Sequence, residues 1–216
     1  MTVRISFSAL LRIKDDDGYV LFHSPNRPSV YGPPGGVFKY YEPVMRWLER
    51  LGFREDRFPS GNDMKLDLRG FLPTRSMRAF HRWFESGAYR EDAAECLHRE
   101  LVEEVAEVGL PGLAGDVRGL GFAPVRTVVE GPGPVPGKPY RQVRRFEIHD
   151  LLTTSESGVR LRAGLVEAAR DGDAANLILA TAAEIAQGRA GRVLVAPQSA
   201  FLIGERRLRP DLPPLS

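Results

Sequence analysis

Residues 98–110, HRELVEEVAEVGL, leave this chain few ways to fold. At 100° per residue, Leu97, Leu101, Val105 and Val108 fall on one stripe of a helix, with Glu100, Glu103, Glu104 and Glu107 on the stripe beside it. The apolar stripe must be buried against another layer, so the carboxylates run along the rim of a packed face. Between residues 91 and 110 the only side chains to set against them are Arg99 and His98, and His98 faces away from the glutamates. The stripe contains four like-charge pairs at i,i+3 or i,i+4 spacing. Each costs an isolated helix ~0.2–0.5 kcal/mol, about 1–2 kcal/mol in all. A solvated helix face normally interleaves lysine, so this one needs an offset. A hard divalent cation, which takes a few carboxylate oxygens and leaves its other positions to water or phosphate, supplies it.

Around this helix the pattern alternates between strand and helix periods. Residues 3–22 read as strand, turn and strand, with Asp17-Gly18 as the hairpin signal, and a loop of turn formers leads into the strand-like VFKYY. A helix is expected over about 42–51, with Pro43 in its first turn and Val44, Trp47, Leu48 and Leu51 on one face. MKLDLRGFL alternates as a strand. Thr74 or Ser76 is a candidate cap for a helix carrying Met77, Phe80, Trp83 and Phe84. The spacing of Trp47 and Trp83 among other apolar residues points to core packing rather than base stacking.

The acidic helix is expected over 91–108. Strands follow over 117–130 and 140–152, joined by GPGPVPGKP, which is too rich in proline and glycine for regular structure. Helices are expected at 161–170 and 174–187, then the apolar RVLVAPQSAFLIG and a loose tail at about 205–216. This order predicts an α/β (α+β) sandwich with a mixed sheet, built as a single domain over 1–216.

Bulk composition narrows the function classes. The chain of 216 residues is 43% hydrophobic and carries a net charge of +2, which gives no strong nucleic-acid signal. No apolar run reaches the ~18 residues of a membrane span, and no signal-peptide pattern opens the chain. A lone cysteine, Cys96, forms no internal disulfide; it reads as a small core residue, and the expected location is the cytoplasm.

Glu91, then seven residues, then Arg99-Glu100-Leu101-Val102-Glu103-Glu104, resembles the signature of the Nudix hydrolase superfamily. That box is glycine, five residues, glutamate, seven residues, then Arg-Glu-aliphatic-any-Glu-Glu-any-Gly-aliphatic. Two departures stand out. Ala106 occupies the position of the closing glycine, so the helix should run about one turn further, toward Gly109. The opening Pro-Gly-Gly turn is matched by PPGG at residues 33–36, yet 54 residues separate Gly36 from Glu91. A helical insertion at about 37–86, within the box loop, accounts for that gap. The strings GPPGG, DLRGFLP, a WF helix before Arg90-Glu91, and TAAEIAQG are similar to the SMODS-associated Nudix group of bacterial second-messenger and defence systems.

The resemblance implies a Nudix-like α/β/α sandwich and a metal-dependent hydrolase. Its reaction would cleave the diphosphate linkage of a nucleoside diphosphate derivative. Glu100, Glu103 and Glu104 would hold Mg2+ or Mn2+, Arg99 would pair with the glutamates, and Glu91 would support the loop or pair with Arg99. Gly35 and Gly36 would let backbone approach the substrate, with Arg27 nearby. The general base is open among Glu130, Glu147, Glu156 and a box glutamate, and Glu147 also reads as an ordinary strand residue. Arg141, Arg144 and Arg145 read either as phosphate contacts or as surface charge. The expected partner is a nucleotide-like small molecule, with a homodimer frequent in the superfamily. The competing reading is a non-hydrolytic sensor on the same fold that binds a nucleotide messenger or a partner protein. A prenyl diphosphate isomerase lacks the cysteine and glutamate pair it would need.

Overall fold

In the computed structural model, residues 1–16, 18–56, 66–171 and 176–212 are described. The elements are β1 (Thr2–Arg12), β2 (Lys14–Asp15), β3 (Gly18–His23), β4 (Val30–Gly32), β5 (Gly35–Val37), α1 (Glu42–Arg50), β6 (Arg54–Glu55), β7 (Arg69–Pro73), α2 (Met77–Ser86) and α3 (Ala93–Glu107). They continue with β8 (Gly121–Pro134), β9 (Arg141–Leu152), α4 (Glu156–Asp171), β10 (Leu177–Thr181), α5 (Ala182–Gln187), β11 (Arg189–Ala190), β12 (Val193–Val195) and α6 (Ala200–Ile203). The class is α/β, as the pattern required. The chain divides into two compact units: Met1–Ala9 with Gly36–Cys96 and Val129–Phe146, and Leu10–Gly35 with Leu97–Val128 and Glu147–Ser216.

One sheet has the order β6-β7-β1-β9-β8, and within the first unit β7 lies antiparallel to β1 from Thr2↔Pro73 to Ser6↔Arg69. In β1, Val3, Ile5 and Phe7 are buried in alternation, the period of two that a half-buried strand shows, and from Phe7 to Leu11 every residue is buried. Phe7 meets Phe80 and Phe84 of α2 edge to face, at ring-centroid distances of 5.4 and 4.7 Å. Trp47 of α1 and Trp83 of α2 lie 5.8 Å apart, so both tryptophans are packing residues. The insertion expected at 37–86 falls within this unit. Gly70 is demanded by close approach, since a Cβ there would sit 2.3 Å from the carbonyl oxygen of Arg54.

The second unit holds a mixed sheet of order β10-β3-β4-β12-β11, in which β12 runs parallel to β4. Here α4 buries Leu161, Leu165, Val166 and Ala169. No helix among the described residues is long and apolar enough to cross a membrane.

Several local expectations change. The N-terminal hairpin is the short β2–β3 pair, Lys14↔Tyr19 and Asp15↔Gly18, because the strand order puts β1 in the other sheet; Asp17 of the expected turn lies outside the described residues. Neither Thr74 nor Ser76 caps α2. A 3₁₀ turn over Thr74–Ser76 leads into the helix, and the two hydroxyls donate to Met1 O (2.9 Å) and Leu51 O (2.7 Å) instead. Pro111–Gly119, rich in turn formers, winds as 3₁₀ helix, so the strand expected from 117 starts at Gly121. That strand then runs through the Gly-Pro-rich stretch to Pro134. The helix expected at 174–187 begins outside the described residues and contains strand β10, antiparallel to β3 from Leu177↔Phe22 to Thr181↔Gly18. Leucine and alanine favour helix locally, but pairing with a buried strand outweighs that bias. Thr181 then caps α5 through a reciprocal bond pair with Glu184. The expected tail begins with ordered contacts: Arg207 pairs with Asp211 at 3.0 Å, and Arg209 Nε donates to Ala186 O at 3.3 Å. Residues 213–216 lie outside the described residues.

Candidate functional site

The acidic helix starts later than its charge pattern indicated, at Ala93, leaving Glu91 before it. Asp92 and Glu95 explain the start. Glu95 N–H donates to Asp92 Oδ1 (2.9 Å) and Asp92 N–H to Glu95 Oε2 (2.8 Å), a reciprocal cap on the exposed amides of the first turn. Cys96, Leu97, Leu101 and Val105 are wholly buried, and Val108 nearly so. Ala106 lets the helix continue to Glu107, and Gly109 closes it with φ 89°.

The neighbouring stripe keeps its carboxylates on the edge of this face. Glu103 and Glu107 are exposed, while Glu100 and Glu104 are half-buried. Arg99 Nη1 donates to Glu100 Oε1 at 2.6 Å. Glu104 Oε2 accepts the N–H of Gly35 at 2.8 Å. Burial pushes the Glu104 carboxyl well above its ordinary range; the Gly35 N–H opposes the shift, and Glu100, Glu107 and Glu103 add to it by like charge.

Gly35 and Gly36 form the start of β5, and Gly35 takes φ 124°, a conformation that only glycine adopts cheaply. Beyond Gly35, three bonds within the first unit hold the chain from Gly36 to Lys39. Cys96 Sγ contacts Gly36 O at 3.5 Å, and the buried Glu91 accepts Lys39 N–H on Oε2 at 2.8 Å while its own N–H donates to Lys39 O at 2.9 Å. Arg90 adds to the support, donating from Nη1 to Glu91 O and from Nε to Phe84 O, both at 2.6 Å. Glu91 thus ties the chain at Lys39 to the residue pair that precedes α3. Arg27 lies in the turn before β4, where its N–H donates to Ser24 O and its carbonyl accepts Val30 N–H.

The remaining candidates have other engagements. Glu130 pairs with Arg144 at 2.9 Å, and Glu156 opens α4 and pairs with Arg160 at 2.5 Å. Glu147 is a half-buried residue of β9, its carbonyl 3.4 Å from His149 Nδ1. Arg145 pairs with Glu85 and covers the Phe84 ring, and Arg141 donates twice to Pro132 O. His98 packs on Phe122, with Nε2 3.2 Å from Leu120 O. The Gly35–Glu104 and Lys39–Glu91 bonds span 69 and 52 residues, and no local pattern announces them.

The donor set fits a hard divalent cation in chemistry: all oxygen, with one carboxylate drawn out of water and crowded by like charge. It is not a finished cage. Among the described residues, no group of three or more acidic, histidine or cysteine side chains is arranged to hold a metal ion.

A family model described as the SMODS-associated NUDIX domain matches residues 2–203, and the chain belongs to that family. No curated protein matches it.

Proposed function

We propose that this SMODS-associated NUDIX domain is a metal-dependent hydrolase that cleaves the diphosphate linkage of a nucleoside diphosphate derivative. Membership of the family supports a Nudix-type fold with a hydrolase or related role, and domains of this kind typically use divalent metals. The observation that carries this proposal is Glu104, a half-buried carboxylate raised in proton affinity by burial and by three neighbouring glutamates, with the N–H of Gly35 on its Oε2. Glu100, Glu103 and Glu104 would hold Mg2+ or Mn2+. When bound, the ion supplies neutralisation of diphosphate oxygens and acidification of an attacking water. Arg99 restrains Glu100, and the Gly35 N–H orients Glu104. Glu91 fixes Lys39 and so the strand that leaves the glycine turn, where backbone can approach a phosphate-bearing guest. Arg27 would add positive charge for that guest. The setting that suits this chemistry is cytoplasmic nucleotide signalling or antiphage defence.

A second reading is a sensor on the same fold that binds a nucleotide messenger without turnover. Incubating the protein with a panel of nucleoside diphosphate derivatives and Mg2+, and following monophosphate release, separates the two. Turnover that disappears in Glu103→Gln and Glu104→Gln supports hydrolysis. Tight binding without product on any panel member refutes it and supports the sensor.

A further inference from the structure

The first unit contains a cavity of about 620 Å3 between α1, β6 and the chain around Tyr40, none of whose lining residues belongs to the glutamate ridge. That volume lies within the ~300–1,000 Å3 of small-molecule sites. Its apolar wall is made by Phe53, Leu48 and Met45, the last 38% exposed at the mouth.

The polar groups at its edge are unbalanced. Among the described residues lining it, Glu42, Glu49 and Glu55 stand against the single guanidinium of Arg54. Glu55 is held in place, because its Oε1 accepts both the Tyr40 hydroxyl (2.7 Å) and the N–H of Leu66 (2.8 Å). Both bonds fall on the same carboxylate oxygen. The Tyr40 phenol is pushed far above its ordinary value, first by burial, then by its bond to Glu55 and by the charges of Glu55, Glu49 and Asp67.

We propose that this cavity binds a small organic cation, an amine or guanidinium carried on an apolar stem. The stem would cover Met45 and Phe53, and the cationic head would meet the carboxylates of Glu55 and Glu49. A phosphate-bearing ligand would face three carboxylates, and a neutral apolar ligand would bury them without a counter-charge. The inference stands apart from the hydrolase reading, since it uses none of the ridge residues.

Isothermal titration of the full chain with agmatine and with phenethylamine tests it. Binding of at least one cation is expected, with 2-phenylethanol, the neutral match to phenethylamine, weaker by ~10-fold or more, a difference of about 1.4 kcal/mol. Met45→Lys, which plants a cation at the exposed mouth, and Glu49→Gln, on the exposed face of α1, should each weaken the cation comparably while circular dichroism stays native. Should Met45→Lys fail to fold, Glu49→Gln makes the same comparison. Failure of both cations to bind, equal affinity for 2-phenylethanol, unchanged affinity in a folded variant, or displacement of the cation by AMP would each overturn the proposal.

Discussion

Replacing Glu104 by glutamine separates what the carboxylate ridge costs from what it is for. The glutamine amide oxygen can still accept the Gly35 N–H, so the bond at 2.8 Å has a replacement. The charge is lost, and with it two helical like-charge pairs, Glu100 with Glu104 and Glu104 with Glu107. At ~0.2–0.5 kcal/mol each, their removal stabilises the metal-free protein by about 0.4–1 kcal/mol. For a chain of this size that is a rise of about 1–4 °C in Tm. The gain must also depend on pH. Because the folded-state pKa of Glu104 is raised, the native state binds this proton more tightly than the unfolded chain does. The cost of the charge is therefore absent below the ordinary value of 4.5, grows as pH rises, and is complete above the folded-state pKa. Thermal melts of wild type and Glu104→Gln in chelator should coincide at acid pH and separate toward alkaline pH, the variant melting higher. Added Mg2+ should then raise Tm in the wild type and much less in the variant. A variant less stable than wild type at alkaline pH, or a difference unaffected by pH, would refute the view that the ridge carries unrelieved negative charge.

Other substitutions probe the scaffold. Glu91→Ala should cost about 1–3 kcal/mol by leaving the Lys39 amide without its acceptor, whereas Glu91→Gln should restore most of that loss; equal urea midpoints for the two variants would argue that the carboxylate does not hold Lys39. Gly70→Ala places a methyl 2.3 Å from the Arg54 carbonyl and 2.7 Å from the Phe53 ring, and a loss of about 1–3 kcal/mol is expected in chemical denaturation. An unchanged midpoint would mean that β6 and β7 are not packed so closely. Thr181→Ala removes the cap on α5, with an expected cost of about 1 kcal/mol and faster amide exchange in residues 182–187; unaltered exchange there would show that the cap does not secure this helix.

The placement of α3 and the character of its two faces were legible in the chain itself. A period of 3.6 residues in Leu97, Leu101, Val105 and Val108 fixes which side is buried, and the glutamates follow from the same geometry. The strand alternation of β1 and the helical faces of α1 and α2 were readable for the same reason: each depends only on neighbours a few residues away. Local pattern failed where a distant partner decided the outcome. Residues 177–181 have helical composition yet are strand, because β3 offers a buried edge to pair with. Thr74 and Ser76 look like caps, but carbonyls of Met1 and Leu51 take their hydroxyls. The hydrogen bond of Gly35 to Glu104, the grip of Glu91 on Lys39 and the cavity beside α1 all join residues far apart along the chain. Periodicity reports which face a residue occupies; which backbone amide or side chain it meets there is set only when the chain closes on itself.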